Sequence, residues 1–221
     1  MQFEENRDRI FRFLLAFAIF IIIAIPVMER SLYLRFIDIS LIGDVQKHEN
    51  SFLDLWYHLV SALDSPKIGV VWILIIAFLL WGFKYKLQSL WAMGTLFSGD
   101  VLDELIKHIV RRPRPVLHPA ADVGYSFPSG HVFSTVLIIS VLWILAVPLI
   151  QRHRLRIAAQ VFCWAWVIMV MLARVYVNAH YPTDVLGALA MAYAWLQVCE
   201  WLYIRLAPRM KQWPLLRHSY F

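Results

Sequence analysis

The chain has 221 residues, 61% of them hydrophobic, with a mean hydropathy of +0.62; it is long enough for one domain and too apolar for an ordinary soluble one. A formal net charge of +6 could suggest a nucleic-acid partner, but no soluble basic patch with interleaved aromatics is present, so none is expected. Cys163 and Cys199 both fall inside apolar runs, which speaks against a disulfide framework or a thiolate metal site.

Several apolar runs reach the about 20 residues that cross a bilayer. The expectation is an all-α polytopic bundle of about six transmembrane helices, with residues 1–221 forming a single integral membrane domain. The first span runs from about Ile10 to Val27, behind Arg7, Arg9 and Arg12. Its exit, Pro26-Val27-Met28-Glu29, lacks a small-x-small cleavage site and reads as a retained anchor. Residues 29–67 are the longest polar stretch. In it Phe52, Leu55, Trp56, Leu59, Val60 and Leu63 keep a helical rhythm behind Ser51 as N-cap, with Asp54 three residues on. This predicts a short amphipathic helix, lying on the membrane surface or packed over the bundle as a lid, and neither placement requires catalysis from this loop.

The second span runs from about Ile68 to Phe83, followed by a tight turn flanked by Lys84 and Lys86. The third, about Leu87 to Lys107, ends in Ser98, Asp100, Asp103 and Glu104. The fourth covers about His131 to Ile150, the fifth about Ile157 to Val177 and the sixth about Thr183 to Arg205. Trp72, Trp81, Trp91, Trp143 and Trp195 read as interface anchors or packing. With six spans, both termini share a side with Lys84/Lys86 and with Arg152, Arg154 and Arg156, and the positive-inside rule puts that side in the cytoplasm. The loops at 107–130 and 175–183 then share the outer face. Arg111, Arg112 and Arg114 run against the rule there, which a functional duty would explain.

Three charged sets stand in these loops and span ends. Pro113 forces Arg112 out of the helical region, so the third helix ends near Val110 or Arg111 and Arg114 can fold back beside Lys107. Asp103, one turn earlier, can hold Lys107, with Asp100 or Glu104 in support. Pro128-Ser129-Gly130-His131 puts a small turn at a helix N-terminus, where backbone N–H groups and the Ser129 hydroxyl suit phosphate oxygens. In His180-Tyr181-Pro182-Thr183-Asp184, the carboxylate of Asp184 can accept from one ring nitrogen of His180 and leave the other as nucleophile or base. Arg174 ends the fifth span on the same side. Taken singly, each set also reads as solvated charges or a plain cap. Zinc at His180 and Asp184 is disfavoured by the cations around them.

Together these sets resemble the type 2 phosphatidic acid phosphatase superfamily of membrane lipid phosphatases, which includes bacterial phosphatidylglycerophosphate and undecaprenyl-diphosphate phosphatases. The matching residues are Lys107, Arg114 and Pro115; Pro128, Ser129, Gly130 and His131; and Arg174, His180 and Asp184. The flanks Tyr125-Ser126-Phe127 and Tyr181 to Gly187 agree as well. The resemblance covers about 87–187; Ala173 departs from it, standing where the family has a serine.

What the resemblance implies is metal-independent, cofactor-free hydrolysis of a phosphate monoester or diphosphate on a membrane lipid. His180 would become phosphohistidine, Asp184 would orient it, and His131 would serve as acid and then base. Lys107, Arg114, Arg174, Ser129 and the Gly130 N–H would hold the phosphate oxygens. The implied setting is a cell membrane, and the chain's compactness is compatible with a bacterial envelope. A phosphotransferase would use the same first step. A lipid or anion transporter should show broken spans repeated in two halves, and no such symmetry is present. A vanadate-dependent haloperoxidase is disfavoured by the membrane setting.

Overall fold

The computed structural model describes residues 8–47 and 50–220. Among them all regular structure is helical: α1 Asp8–Met28, α2 Leu32–Gln46, α3 Ser51–Leu63, α4 Pro66–Gly82, α5 Lys86–Val110, α6 Gly130–Leu145, α7 His153–Tyr176 and α8 Pro182–Met210, with a 3-10 turn at Val147–Leu149. Helices close their backbone hydrogen bonds within each segment, which a bilayer interior demands. Among the described residues, four helical segments are long and apolar enough to cross a membrane: Asp8–Met28, Gly130–Leu149, His153–Tyr176 and Pro182–Met210. The bent pair Ser51–Leu63 and Lys67–Gly82, meeting at 55°, would make a fifth if counted as one span. α4 is apolar but has only 17 residues. α5 has the length, but Asp100, Asp103, Glu104 and Lys107 crowd its last turns.

Arg7 lies outside the described residues. Arg9 and Arg12 lie inside α1, and Arg9 pairs with Glu200 of α8 at 3.2 Å. α8 is the longest helix and lies against both α1 and α6. Its buried Gly187, Ala188, Ala190, Ala192 and Ala194 let neighbouring backbones come close, the route by which helices associate where lipid is as apolar as the side chains. At Gly187 an added Cβ would sit 2.6 Å from the Phe127 ring. That ring is fully buried and packs on Phe20 of α1 at 5.8 Å between centroids. Phe127 thus pins the turn that precedes α6 between α1 and α8.

The polar stretch after the first span differs from expectation in two ways. It contains α2, which the sequence reading did not assign. The cap of α3 is Asn50 rather than Ser51: its Oδ1 accepts from the Phe52 and Leu53 N–H groups at 3.1 and 2.9 Å. α3 packs on α7, where the Tyr57 and Tyr176 rings meet at 4.4 Å and the Tyr176 hydroxyl donates to Asp54 at 2.5 Å.

The C-terminal tail closes one end of the bundle, where Lys86 Nζ donates to the Leu215 carbonyl at 2.9 Å and the Tyr220 N–H to that of Lys84 at 2.9 Å. The end of α5, the start of α6, the end of α7 and the start of α8 share the other end.

Candidate active site

The segment between α7 and α8 is short, and Pro182 opens α8 as its first residue. Asp184 therefore falls in the first turn, and its Oδ2 accepts from the Tyr181 N–H at 2.9 Å as a cap. His180 precedes the helix and is fully buried. Its Nδ1 lies 2.7 Å from the Ser126 carbonyl oxygen and 3.6 Å from Asp184 Oδ2. Its Nε2 lies 3.2 Å from Arg114 Nη1. A carbonyl only accepts and a guanidinium only donates. The proton therefore belongs on Nδ1, and the Nε2 lone pair faces Arg114. The tautomer is set first by a backbone carbonyl, with the Asp184 carboxylate beside it, rather than by the carboxylate alone as expected from sequence. Burial pushes the His180 imidazole down to about 4, with Asp184 acting in the opposite direction and Arg174 and Arg114 adding to the fall.

The other sets converge on this ring. α5 stops at Val110, and Arg111 closes it in the left-handed region at φ 52°. Lys107 is ion-paired to Asp103, as its spacing suggested, with Glu104 at 3.9 Å; Asp100 instead accepts from Ser134 of α6 at 2.7 Å. The pair lies directly on the start of α6: a Cβ on Gly130 would meet Lys107 Nζ at 2.8 Å and Asp103 Oδ2 at 2.9 Å. Only glycine admits so close an approach without displacing the lysine. Ser129 caps α6 and is fully buried, and its Oγ has no hydrogen-bond partner. Its N–H donates to the Asp184 carbonyl at 3.3 Å, tying this turn to the start of α8. His131 is half-buried in the first turn of α6, and the charges that act on it are Arg174, His180, Lys107 and Arg114.

Arg114 donates to the carbonyls of Ala179 and Val123, each at 3.0 Å, and its Nε is buried without a partner. Burial lowers its affinity for a proton, with Asp122, Asp184 and Asp103 opposing. Arg174 is 3% exposed and paired to Asp122 at 2.7 Å. It also donates to the Ser61 hydroxyl of α3. A hydroxyl therefore does reach this arginine, although Ala173, itself fully buried, stands where a serine was expected.

Several contributors were not singled out from the sequence: the Ser126 carbonyl, Asp122, Ser61 and, above all, Arg112 with Asp38. Arg112 Nη1 donates to Asp184 Oδ1 at 2.6 Å and to the Thr183 hydroxyl at 2.7 Å. Its Nη2 donates to Asp38 Oδ2 at 2.6 Å, and the guanidinium lies 4.0 Å over the Tyr181 ring. Asp38, on α2 and fully buried, also accepts from the Thr183 N–H at 3.0 Å and its hydroxyl at 2.7 Å. Burial opposes the Arg112 charge, but Asp184 and Asp38 outweigh it and hold the guanidinium more firmly protonated than usual. The polar loop after the first span thus reaches the site through Asp38 and Ser61, contacts the sequence reading did not assign. The one sequence signal for Arg112 was its place among cations on a face where the positive-inside rule does not expect them.

The assembled site is a buried imidazole whose unprotonated Nε2 faces Arg114, flanked by Lys107, Arg174, a hydroxyl with no partner among the described residues and a helix N-terminus. Such a donor set fits a tetrahedral oxyanion. Comparison with known proteins agrees. Over 181 residues, 73% of each chain, the protein is 30% identical to dolichyldiphosphatase 1 of Mus musculus and 28% to that of Rhinolophus ferrumequinum. It is 31% identical to phosphatidylglycerophosphatase B of Bacillus subtilis over 106 residues, 45% of this chain and 50% of that one. The crystal structure of a transmembrane PAP2-type phosphatidylglycerolphosphate phosphatase from Bacillus subtilis superposes with a TM-score of 0.77, covering 92% of this chain and 99% of that one at 18% identity. Aquifex aeolicus LpxE superposes at 0.57, covering 76% and 95% at 16% identity, so the likeness to both structures is one of fold. The PAP2 superfamily profile matches residues 88–207, which contain all three charged sets, and the chain belongs to the PAP2 superfamily.

Proposed function

We propose that this protein hydrolyses a phosphate ester or diphosphate on a membrane lipid through a phosphohistidine formed at His180, with no metal ion taking part. As a PAP2 enzyme it is a lipid phosphatase; the substrate and the route are the inference. The observation that carries it is the His180 tautomer: Nδ1–H bound to the Ser126 carbonyl, Nε2 unprotonated and facing Arg114.

In the first step the Nε2–P bond forms at the terminal phosphorus, and its bond to the leaving oxygen breaks, the lipid oxygen of a monoester or the bridging oxygen of a diphosphate. His131 gives its proton to the leaving oxygen. In the second step His131 takes a proton from water, the water oxygen bonds to phosphorus, and the N–P bond breaks to release phosphate. Asp184 stabilises the imidazolium form that precedes N–P cleavage. Charge on the three equatorial oxygens is met by Lys107, Arg114, Arg174, the Ser129 hydroxyl and the Gly130 N–H, held in place before the substrate arrives.

The names of the relatives point to two substrate classes, a polyprenyl diphosphate and phosphatidylglycerophosphate. The polyprenyl diphosphate is the first to test, because the dolichyldiphosphatase matches extend over more of the chain. For the membrane setting, α1, α4, α5, α6, α7 and α8 each cross, both termini are cytoplasmic, and the site opens outward. The Lys/Arg excess at the tail end of the bundle supports this orientation.

The test is phosphate release from a panel of undecaprenyl diphosphate, phosphatidylglycerophosphate, phosphatidate and a soluble ester, in the presence of EDTA. Wild-type protein should release phosphate from at least one lipid, and H180A should release none while remaining folded. Full turnover by H180A, or loss of activity in EDTA restored by a metal, would contradict the mechanism.

A further inference from the structure

Beside the catalytic ring lies a second cavity, about 490 Å³, where the end of α1, the start of α2 and the 111–116 loop meet. Its charged lining is Arg30, Arg35, Arg111, Arg112 and Arg114, joined by the hydroxyl residues Ser31, Tyr125 and Tyr181, and among the described residues no carboxylate lines it. Arg112 is neutralised by Asp38 and Asp184. Arg30, Arg35 and Arg111 have no carboxylate partner within 4.0 Å among the described residues. All three are exposed, and Arg111 Nε donates to the His108 carbonyl at 2.9 Å, so the concavity keeps a net positive charge that favours an anion.

Backbone conformation adds a second observation. Arg30 and Arg111 both have positive φ, 54° and 52°. Each follows a helix end, where glycine or asparagine adopts this region more readily. Both sites carry arginine, and both side chains line the same cavity. The walls next to it are apolar and outward-facing: Ile22, Ile25 and Met28 on α1, and Leu32, Tyr33 and Phe36 on α2, are all exposed. A cationic pocket at the mouth of an apolar helix face matches the two ends of a lipid, with phosphate in the pocket and chains along α1.

We propose that this cavity is a binding site for the phosphate of an anionic phospholipid that is not the substrate. It goes beyond the reaction assigned above and does not depend on it, because retention of a lipid diester is read without turnover. Arg114, and Arg112 through Asp184, are shared between the cavity and the catalytic ring. An occupied site would therefore brace the residues that contact His180.

The experiment uses full-length protein in phosphatidylcholine nanodiscs with a fixed fraction of phosphatidylglycerol, and native mass spectrometry to count retained lipids. Wild type should retain phosphatidylglycerol in preference to phosphatidylcholine. R30Q/R35Q should weaken that retention on the order of tenfold, since each arginine near a lipid phosphate contributes about one charge-assisted contact. R30K/R35K should keep much of it, and both variants should keep the wild-type melting temperature. R209Q/R217Q, which removes equal charge at the other end of the bundle, should retain the lipid like wild type. Unchanged retention in R30Q/R35Q, or equal loss in R209Q/R217Q, would overturn the site. Displacement of phosphatidylglycerol by millimolar inorganic phosphate would assign the cavity to free phosphate and overturn its assignment to a lipid.

Discussion

The proposed chemistry turns on one nitrogen. His180 Nε2 keeps its lone pair because the Ser126 carbonyl holds the ring proton on Nδ1 and Arg114 offers only donors to the other side. Burial then keeps the ring neutral, with its acid midpoint at about 4 in the fold against about 6.5 when unfolded. The sign is definite. The unfolded chain takes up this proton first, so His180's contribution to stability is complete above about 6.5 and is lost as pH falls toward 4. In the proposed route the same shift governs the nucleophile. The acid limb of kcat/KM measured on a soluble ester should lie nearer 4 than 6.5; a limb at the ordinary histidine value would mean that the ring is solvated. The residues that meet around His180 were readable from the sequence because their types and spacings are unusual at the ends of apolar runs. The Ser126 carbonyl was not, because a backbone acceptor leaves no mark on residue type.

At the level of elements, the site depends on a helix with no place in the three charged sets. α2 brings Asp38 to Arg112, and Arg112 brings its charge to Asp184. Asp38 and Thr183 are 145 residues apart, so no local spacing could have joined them. α2 itself begins at Ser31 without the Glu or Gln that would complete a capping box, and its apolar residues form no single stripe. α3 was legible because its apolar rhythm is regular, yet its role was not, since Ser61 reaches Arg174 only once α3 packs on α7. Asp38 acts as a positioning residue for Asp184. D38N should lower kcat on the order of 10- to 100-fold with little change in KM, as a displaced catalytic partner does. It should also move the acid limb of the pH profile further down, because Arg112 would then draw fully on Asp184 and leave less negative charge for the His180 imidazolium. A lower melting temperature with an unmoved limb would reduce Asp38 to a packing role.

For the whole molecule, the ends of four helices, α5, α6, α7 and α8, meet at one end of the bundle, and the C-terminal tail closes the other. Side chains far apart in sequence become neighbours because α8 packs closely on α1 and α6 and Phe127 fills the space left by Gly187. The number of crossings was less legible. In α5, Asp103 and Lys107 turn toward the site while Glu104 is exposed, and these charges keep the helix out of the set that is apolar enough to cross a membrane. Which compartment the site faces can be read from a single-cysteine reporter, since both native cysteines are buried. V123C, at a position 80% exposed near Arg114, should react in intact cells with a membrane-impermeant maleimide. H218C, in the tail, should react only after lysis, and the reverse pattern would invert the orientation.

The reaction itself is tested most directly by acid-free rapid quench of a single turnover with a lipid labelled on its terminal phosphate, followed by peptide mapping. Label should appear on the peptide carrying His180 before free phosphate accumulates, with the base-stable, acid-labile character of a phosphoramidate, and be absent from H180A. Phosphate released at the full rate with no label passing through His180, or label on another residue, would contradict a phosphohistidine route.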